Sequence, residues 1–453
     1  MVSGHGAREQ MREATIRAND LVPDWAAKRP GILQWQMPQS LKRTSSFFGH
    51  SREFPAPETG SRRVTVVDVL RGLVMVLMPL DHTREFFNNY AGNPLDPQHT
   101  TFSLYLTRWI THLCAPVFVF LAGTSIFLQQ QRKTRRQLTQ HLLMRGLWLI
   151  IVELTLVDLV MNFHWEWNVH ILEVIWVIGA SMMIMALLIH LDIRWNLLLG
   201  ACLVGGHNLL DGVSVDKFGR FGWLWNLLHV PGLSSGASMT PPIILVAYPL
   251  LPWLGVMVLG YAFGTLLMQE RDNRRRWELR AGLIMLVAFA LLRWSNLYGD
   301  PVRWSSQATW WRTGMAFLNV QKYPPSFLFV LVTLGIAALI AAGIESAEKR
   351  NTWGWVRSVL QVYGRVPFFY FLLHIALIHL LALGLSAVRG GNWQWWVTDF
   401  PRGGVLTGRP PGYGYGLAVV WCVWIFVVVL CYPVCKWYAG VKRRSRNPVF
   451  SYL

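Results

Sequence analysis

Charged residues, and acidic residues above all, are scarce in this sequence. Asp and Glu number 24 against 42 Lys and Arg, and charged residues make up 15% of the chain, whereas hydrophobic residues make up 53%. A chain of 453 residues is long enough for several soluble domains, but soluble domains carry about 25% charged residues. The composition therefore argues against a set of soluble domains and indicates a membrane protein.

Motifs of several enzyme classes are also missing. The sequence has no glycine-rich phosphate loop, no serine nucleophile elbow and no cluster of residues at metal-ligand spacing. Its five cysteines fall in apolar segments, and Cys431 and Cys435, one helical turn apart, are not followed by a second pair or a histidine. We therefore predict no metal and interpret the cysteines as small packing residues inside the membrane.

The first 61 residues lack an apolar run behind the first charges, so no cleavable signal peptide is expected. This polar stretch is predicted to be a poorly ordered cytoplasmic extension. Residues 62–440 are predicted to form the transmembrane domain, and residues 441–453 a basic cytoplasmic tail.

Long apolar segments recur after residue 62, and about 20 helical residues are enough to cross a hydrocarbon core. Backbone polar groups in lipid must bond within their own segment, which favours helices. The predicted fold class is an all-α polytopic bundle of about ten transmembrane spans with both termini in the cytoplasm. The spans are predicted near 64–87, 104–130, 142–162, 170–190, 195–210, 243–268, 280–298, 326–344, 363–387 and 417–438.

Positive charge alternates between the two sets of loops that these spans define. One set contains basic clusters such as Arg132–Arg136, Arg271–Arg276 and Lys442–Arg446, whereas the loops 88–103 and 162–169 of the other set contain no Lys or Arg. The positive-inside rule places the first set in the cytoplasm. The net charge of +18 is therefore expected to face anionic membrane lipids, and no nucleic-acid partner is predicted.

Tryptophans are frequent in the loops predicted to face outward, and two interpretations remain open. They could form an interfacial aromatic belt, or a stacking platform for sugar rings. The tryptophans concerned are Trp165, Trp167, Trp223, Trp225, Trp304, Trp310, Trp311, Trp393, Trp395 and Trp396.

The first predicted span carries ionisable residues at both ends. Asp68 and Arg71 are three residues apart near its cytoplasmic end, and His82 follows Arg71 by eleven residues. Eleven residues are almost three helical turns, so Arg71 and His82 should project from one face about 16 Å apart. Asp68 and Arg71 could instead be an ion pair at a helix start, and His82 a histidine satisfied within the bundle. Asp81, next to His82, strengthens the functional interpretation.

Other ionisable residues are predicted at similar depth, and such groups inside a membrane usually mark a functional pathway. We expect them to face one polar cavity, where Glu85, Glu153 or Glu173 could orient His82. The residues concerned are Arg108 and His112 entering from outside, Glu153 or Asp158, Glu173, Arg293, His379 and the deeper His374, with Lys322 and Tyr323 at the outer mouth.

Several motifs resemble those of one family. The stretch RVTVVDVLRG at Arg63–Gly72, followed by MPLDH at Met78–His82, resembles the opening helix of the heparan-alpha-glucosaminide N-acetyltransferase catalytic-domain family. The spacing of Arg71 and His82 is also similar to the signature of the acyltransferase-3 superfamily. Further similar stretches are Thr107–Pro116, Phe118–Ser125, Tyr248–Trp253, Lys322–Ser326 and Gly364–His374. The end of the chain, at Tyr432–Trp437 and Ser451–Leu453, resembles that of bacterial members of the family.

The resemblance implies a membrane-bound acyltransferase in residues 62–440, in a multi-pass protein of a bacterial inner membrane. It implies acetyl-CoA as co-substrate, bound from the cytoplasm, and a sugar or glycolipid acceptor with an amine or hydroxyl on the far side. His82 would be the catalytic base with Asp81 beside it, and Arg71 with Asp68 would bind the donor. From their predicted depth and place, we expect the acceptor-binding residues to be Arg108, His112, Glu153, Glu173, Lys322, Tyr323, His374 and His379. Lys322 and Tyr323 could instead only anchor the helix at the outer mouth.

A rival hypothesis is a proton-coupled transporter that uses the same buried histidines and carboxylates as a relay. Inverted repeats would favour a transporter, and no convincing repeat is visible. The sequence also admits a homo-oligomer.

Overall fold

The structure, a computed structural model, describes residues 65–163, 169–233, 243–350, 352–398 and 413–445. The predicted N-terminal extension and most of the predicted basic tail lie outside these ranges. So do Trp165 and Trp167 of the outward loops.

The described residues are mostly helical. The first half contains helices α1 to α7, with a 3-10 turn at Thr111–Leu113 and a π-helical segment at Glu153–Val157. Their bounds are Thr65–Phe87 (α1), Phe102–Ile110 (α2), Cys114–Gln130 (α3), Arg135–Val152 (α4), Asp158–Asn162 (α5), Val174–Leu188 (α6) and Ile193–Gly206 (α7).

The second half continues with helices α8 to α15 and has 3-10 turns at His207–Leu210, Val215–Phe221, Leu266–Met268 and Trp393–Trp396. The helices are Gly222–Leu228 (α8), Leu250–Phe263 (α9), Arg271–Ser295 (α10), Trp310–Leu318 (α11), Phe327–Arg350 (α12), Gly354–Arg365 (α13), Pro367–Val388 (α14) and Leu417–Arg444 (α15).

Five described helical stretches are long and apolar enough to cross a membrane. A sixth is possible if the bent pair Ile193–Leu210 and Val215–Leu228, which meet at 107°, counts as one span. The five are Phe102–Gln130, Leu250–Met268, Phe327–Arg350, Pro367–Val388 and Leu417–Arg444. They coincide with five of the ten predicted spans, so a multi-helix membrane protein is supported and the number ten stays a prediction.

A small sheet replaces the start of two predicted helices. The strands are Val169–Leu172 (β1), Gly232–Leu233 (β2) and Ile243–Val246 (β3), in the order β1-β3-β2. β1 runs parallel to β3, with Val169 opposite Ile243, and β2 runs antiparallel to β3. β-branched residues favour extended backbone, and Pro249 keeps the residue before it from being helical. The all-α prediction is therefore wrong for these short segments and right for most of the described residues.

The ninth predicted span is also divided. Helix α13 ends at Arg365 and α14 begins at Pro367, with Val366 outside helical geometry. Proline at the first position of a helix is favourable, and it disfavours helical backbone for the residue before it. Two helices thus replace the start of the span predicted at 363–387.

Helix α1 packs against α3, α13, α14 and α15, so it lies within the bundle. The crossing with α13 is close, because a Cβ at Gly72 would lie 1.9 Å from the carbonyl oxygen of Leu360. A Cβ at Gly364 would likewise lie 1.9 Å from the oxygen of Asp68. The two glycines therefore allow the backbones to touch, and they bring Arg71 against α13.

Candidate functional site

A cavity of about 720 Å³ runs along α1 and α3. Helix α1 lines it from Arg71 to Glu85, and α3 with its preceding turn lines it from Thr111 to Gln129. Helices α4 and α6 contribute further side chains. The volume lies in the range of sites for small molecules and cofactors.

The two ends of the cavity differ in chemistry. The end beside the C-terminus of α3 is rich in basic side chains, and we call it the basic end. The other end, beside the C-terminus of α1, contains two tyrosines and two carboxylates, and we call it the tyrosine end. The basic end comprises Lys133, His141, Arg145, Arg365 and Lys442, and the tyrosine end Glu85, Glu173, Tyr248, Lys322 and Tyr323.

Arg71 lines the cavity from the side of the basic end. Its guanidinium donates to the carbonyl oxygen of Gly364 at 3.1 Å and to the hydroxyl of Ser125 at 2.9 Å. Asp68, predicted to pair with it, lies 3.4 Å from Nη1 of Arg71 and 3.9 Å from Nε of Arg365. Asp68 is buried and is not among the described residues that line the cavity. Its carboxylate therefore holds the guanidinium groups of Arg71 and Arg365 in place.

His82 lines the same cavity further along α1. Its Nδ1 lies 3.9 Å from Oε2 of Glu85, and its ring lies 5.3 Å from the ring of His374. The Nδ1 of His374 bonds the backbone carbonyl of Tyr370 at 2.7 Å, which orients that ring. The predicted common passage for Arg71 and His82 is therefore present.

Asp81 has other partners. Nη2 of Arg84 lies 3.0 Å from one oxygen of the Asp81 carboxylate, and Arg108 donates to the other. Arg108 is buried and also contacts the Thr111 hydroxyl. The sequence placed Asp81 beside His82 and named Glu85 among the residues that could orient the imidazole. In the described structure arginines contact the Asp81 carboxylate, and Glu85 lies 3.9 Å from Nδ1 of His82.

Glu173 lines the tyrosine end directly before helix α6. Glu153, in the π-helical segment, accepts the backbone N–H of Glu173 at 2.8 Å. Glu153 is buried and is not among the described residues that line the cavity. It therefore positions the backbone of Glu173 rather than reaching a ligand.

Lys322 and Tyr323 also line the tyrosine end. The Lys322 ammonium lies 4.9 Å from the centre of the Tyr323 ring and 5.8 Å from that of Tyr248. The two tyrosine rings are 5.4 Å apart, edge to face. A cation between aromatic faces suits a polar ring-shaped ligand.

Besides Glu153, other residues expected in the cavity are not among the described residues that line it. Arg108 and His374 contact the lining residues Asp81 and His82 from behind. His112, His379 and Arg293 have other neighbours. His112 is buried against Trp109 and Phe329. His379 stacks on Phe163 at 4.2 Å, away from the lining of the cavity. These two positions, and Arg293, correct the expectation that all the ionisable groups face one cavity. Arg293 donates to the backbone carbonyls of Val302, Ala316, Phe317 and Asn319.

The basic end holds residues that the sequence had not singled out. His141 and Arg145 lie one turn apart on α4, and Arg365 ends α13. The i, i+4 spacing of His141 and Arg145 and the place of Arg365 at a helix end can be read from the sequence. Basic residues at such positions are also common on the cytoplasmic side of membrane proteins, so they did not indicate a site. Only packing shows that these side chains meet at one opening.

Comparison with known proteins bears on the identity of the chain. The sequence profile described as Heparan-alpha-glucosaminide N-acetyltransferase, catalytic, matches residues 63–298. A search of curated proteins gives no match. The matched region includes α1, α3, α4 and α6, which form most of the cavity wall. Because it covers more than half of the sequence, the chain belongs to the heparan-alpha-glucosaminide N-acetyltransferase catalytic-domain family.

Proposed function

We propose that the protein is a transmembrane acyltransferase that moves an acetyl group from acyl-CoA, bound at the basic end, to an amine or hydroxyl at the tyrosine end. Family membership implies a transferase, and membrane acetyltransferase activity in general. The observation that carries the finer proposal is that Arg71 and His82 line one cavity, about 16 Å apart along α1.

The donor would place its phosphates among the basic residues. Arginine and lysine bind phosphate through charge-assisted hydrogen bonds, and the basic end has four such side chains, Lys133, Arg145, Arg365 and Lys442. Arg71, fixed by Gly364 and Ser125, lies between the basic end and His82. It would hold the pantetheine arm so that the thioester points towards the imidazole.

The acceptor would enter at the tyrosine end. Tyr248 and Tyr323 offer flat apolar faces to a sugar ring, and Lys322 and Glu173 offer polar contacts to its hydroxyls. A sugar or the head group of a glycolipid fits this combination. A membrane-embedded glycolipid acceptor would also explain why the site lies within a helical bundle.

His82 would act as general base. Neutral imidazole takes the proton from the acceptor amine or hydroxyl as the acceptor oxygen or nitrogen bonds to the acyl carbon. The carbon–sulfur bond then breaks, and the CoA thiolate leaves and is protonated. Glu85, at 3.9 Å, would stabilise the imidazolium. In the alternative route the imidazole nitrogen of His82 attacks the acyl carbon and the CoA thiolate leaves. The acceptor then displaces the imidazole from the acyl-histidine and gives up its proton to the released nitrogen.

The wider arrangement belongs to the same proposal. About ten spans, both termini in the cytoplasm and residues 62–440 as the acyltransferase domain would place the basic end in the cytoplasm and the tyrosine end outside. We place the protein in a bacterial inner membrane, with membrane lipids as partners. The proposal also allows a homo-oligomer. The transporter hypothesis is not favoured, because the family description names a transferase.

The test uses purified protein in detergent, with acetyl-CoA as the donor and a panel of amino sugars and glycolipids as acceptors. Release of CoA thiol is measured for the wild type, for His82→Gln and for His190→Gln, an exposed histidine outside the cavity lining. Loss of a general base lowers rates by about 10²–10⁴-fold. We expect a loss of this size for His82→Gln, with acetyl-CoA binding retained, and no loss for His190→Gln.

Two outcomes would contradict the proposal. Full transfer by His82→Gln would remove the imidazole from the mechanism. Absence of acyl-CoA binding, together with proton-linked solute flux in vesicles, would support the transporter.

A further inference from the structure

A second cluster of potential ligands lies outside the acyl-transfer cavity. His207 follows the end of α7, Asp211 comes four residues later, and His229 follows the end of α8. One ligand atom from each residue lies within 4.8 Å of the other two. None of the three is among the described residues that line the acyl-transfer cavity. The sequence predicted no metal, because no group of residues in it has metal-ligand spacing.

The two histidines are buried with ring nitrogens that lack hydrogen-bond partners. His207 is 3% exposed and His229 is 1% exposed. Within the described residues, neither ring nitrogen of His207, nor Nδ1 of His229, has a hydrogen-bond partner of good geometry. Burying such polar atoms without a hydrogen-bond partner is unfavourable. A neutral imidazole nitrogen in this situation is suited to bind a metal ion.

The carboxylate of Asp211 is already oriented for the same role. The amide of Asn208 donates to Oδ2 of Asp211 at 2.8 Å, and Oδ1 of Asp211 lies 3.4 Å from Nε2 of His229. Asn208 is itself fixed, because its side-chain oxygen accepts the backbone N–H of Phe327 at 2.8 Å. Outer partners of this kind orient ligands in protein metal sites.

Neighbouring groups also fix the histidine rings. The ring of Trp225 lies 5.1 Å from that of His229, and the Trp225 indole donates to the carbonyl of Val213 at 2.9 Å. The rings of His207 and His229 contact each other edge to face, with their centres 5.6 Å apart.

We propose that His207, Asp211 and His229 bind one Zn²⁺ ion. Two imidazoles and one carboxylate match the ligands of zinc, whereas Mg²⁺ and Ca²⁺ prefer oxygen ligands. Bond lengths of about 2.0–2.2 Å require the ligand atoms to approach to roughly 3.3 Å of one another, which side-chain rotation supplies. A water molecule would complete the tetrahedron, since Asp211 reaches solvent.

The role we assign to this ion is structural. The helical stretches Ile193–Leu210 and Val215–Leu228 meet at 107°, and the three ligands lie on the two sides of that bend. Through Asn208 and Phe327 the cluster connects to the start of α12, directly after the segment with Lys322 and Tyr323. A bound Zn²⁺ would therefore fix the bend against one wall of the tyrosine end.

Zinc binding is tested on full-length protein without a polyhistidine tag, in metal-free buffer. Zn²⁺ is titrated against a chromophoric chelator for the wild type, Asp211→Asn, His207→Gln and His229→Gln. The control is His99→Gln, since His99 forms an exposed pair with Asp96 at 2.6 Å outside the cluster. We expect one Zn²⁺ per chain in the wild type and the control, and affinity at least tenfold lower in the three variants.

Thermal unfolding provides a second readout. Zn²⁺ should raise the unfolding midpoint of the wild type, and a chelator should reverse the rise, with neither effect in Asp211→Asn. Asp211 is partly exposed, so this variant is expected to fold. Unchanged zinc affinity in Asp211→Asn and His229→Gln, or no zinc bound by the wild type, would overturn the proposal. No acyl-CoA is present, so the result is independent of the proposed acyl transfer.

Discussion

Single residues of the cavity divide into those that reach its space and those that hold others in place. Asp68 and Glu153 are buried acids outside the described lining, one beside two arginines and one on a backbone N–H. His82 and Glu173 line the space itself. The depth of a residue along its helix thus predicts whether it is near the site. The rotation of the helix about its axis, and the helices packed against it, decide whether the side chain can contact a ligand.

The basic end should contribute to donor affinity through phosphate contacts. Arg145→Gln and Lys442→Gln should each weaken acetyl-CoA binding about tenfold, since a charged hydrogen bond contributes about 1.5–3 kcal/mol and tenfold corresponds to 1.4 kcal/mol. Isothermal titration at two salt concentrations measures the effect. The loss should be smaller at high salt, because screening weakens the phosphate contacts of the wild type.

Two controls separate phosphate recognition from general damage. Lys349→Gln removes an exposed lysine that pairs with Asp272 outside the cavity, and it should leave the affinity unchanged. S-Acetylpantetheine lacks the nucleotide phosphates, so it should bind the wild type and the basic-end variants equally. Equal loss for both ligands would show that the substitutions act on the fold.

Residue spacing within one helix was the most reliable guide to the site. The interval from Arg71 to His82 predicted a shared face, and both residues line the cavity. The place of Arg293 could not be predicted in this way, because its partners come from the later segment 300–319: backbone carbonyls such as those of Val302 and Phe317, and the carboxylate of Asp300 at 3.6 Å. Nor could the zinc ligands, since His229 meets His207 only through the bend between them.

At the scale of helices and strands, the sequence predicted most of the helices and missed the places where they break. Proline explains two of the breaks, at Val366 and before Leu250. The parallel pairing of β1 with β3 joins residues more than 70 positions apart, and nothing local in either segment indicates its partner. Apolar β-branched residues suit a strand and a membrane helix equally well, so hydropathy alone assigned them to helices.

The crossing of α1 and α13 should depend on glycine. Gly72→Ala places a Cβ 1.9 Å from a backbone oxygen that no side-chain rotation can move. Overpacking of this kind costs about 1–3 kcal/mol and more when backbones must separate. We expect a clear fall in the thermal unfolding midpoint, followed by tryptophan fluorescence, together with weaker acetyl-CoA binding, because Arg71 loses its position against Gly364.

A matched control is available on α12. A Cβ at Gly343 would have no described neighbour within 4 Å, and alanine is favoured over glycine in a helix by about 0.5–1 kcal/mol. Gly343→Ala should therefore leave the midpoint unchanged or raise it. A similar midpoint for both variants would mean that the crossing tolerates separation.

At the scale of the whole molecule, the asymmetry of basic residues and the two ends of the cavity point in the same direction. The basic end includes Lys133 and Lys442, which belong to two of the basic clusters that the charge rule assigns to the cytoplasm. Acyl-CoA is a cytoplasmic metabolite, so an opposite orientation would separate the proposed donor site from its ligand.

Thiol labelling in intact cells tests this orientation. Gln98→Cys, on an exposed loop after α1, should react with a membrane-impermeant maleimide from outside. Lys349→Cys, exposed near the end of α12, should react only after permeabilisation, with the wild type as control for the native cysteines. The reverse pattern would invert the topology and with it the proposed direction of transfer.

Helix α1 sets a length standard for the substrate. Arg71 and His82 stand on one helix, Thr65–Phe87, so the span between them follows from helical rise and does not depend on a movable loop. The carrier of the thioester must therefore be long enough to contact Arg71 while its thioester carbonyl lies at His82. Short synthetic thioesters that cannot bridge this interval should be poor donors even when their acetyl group is identical.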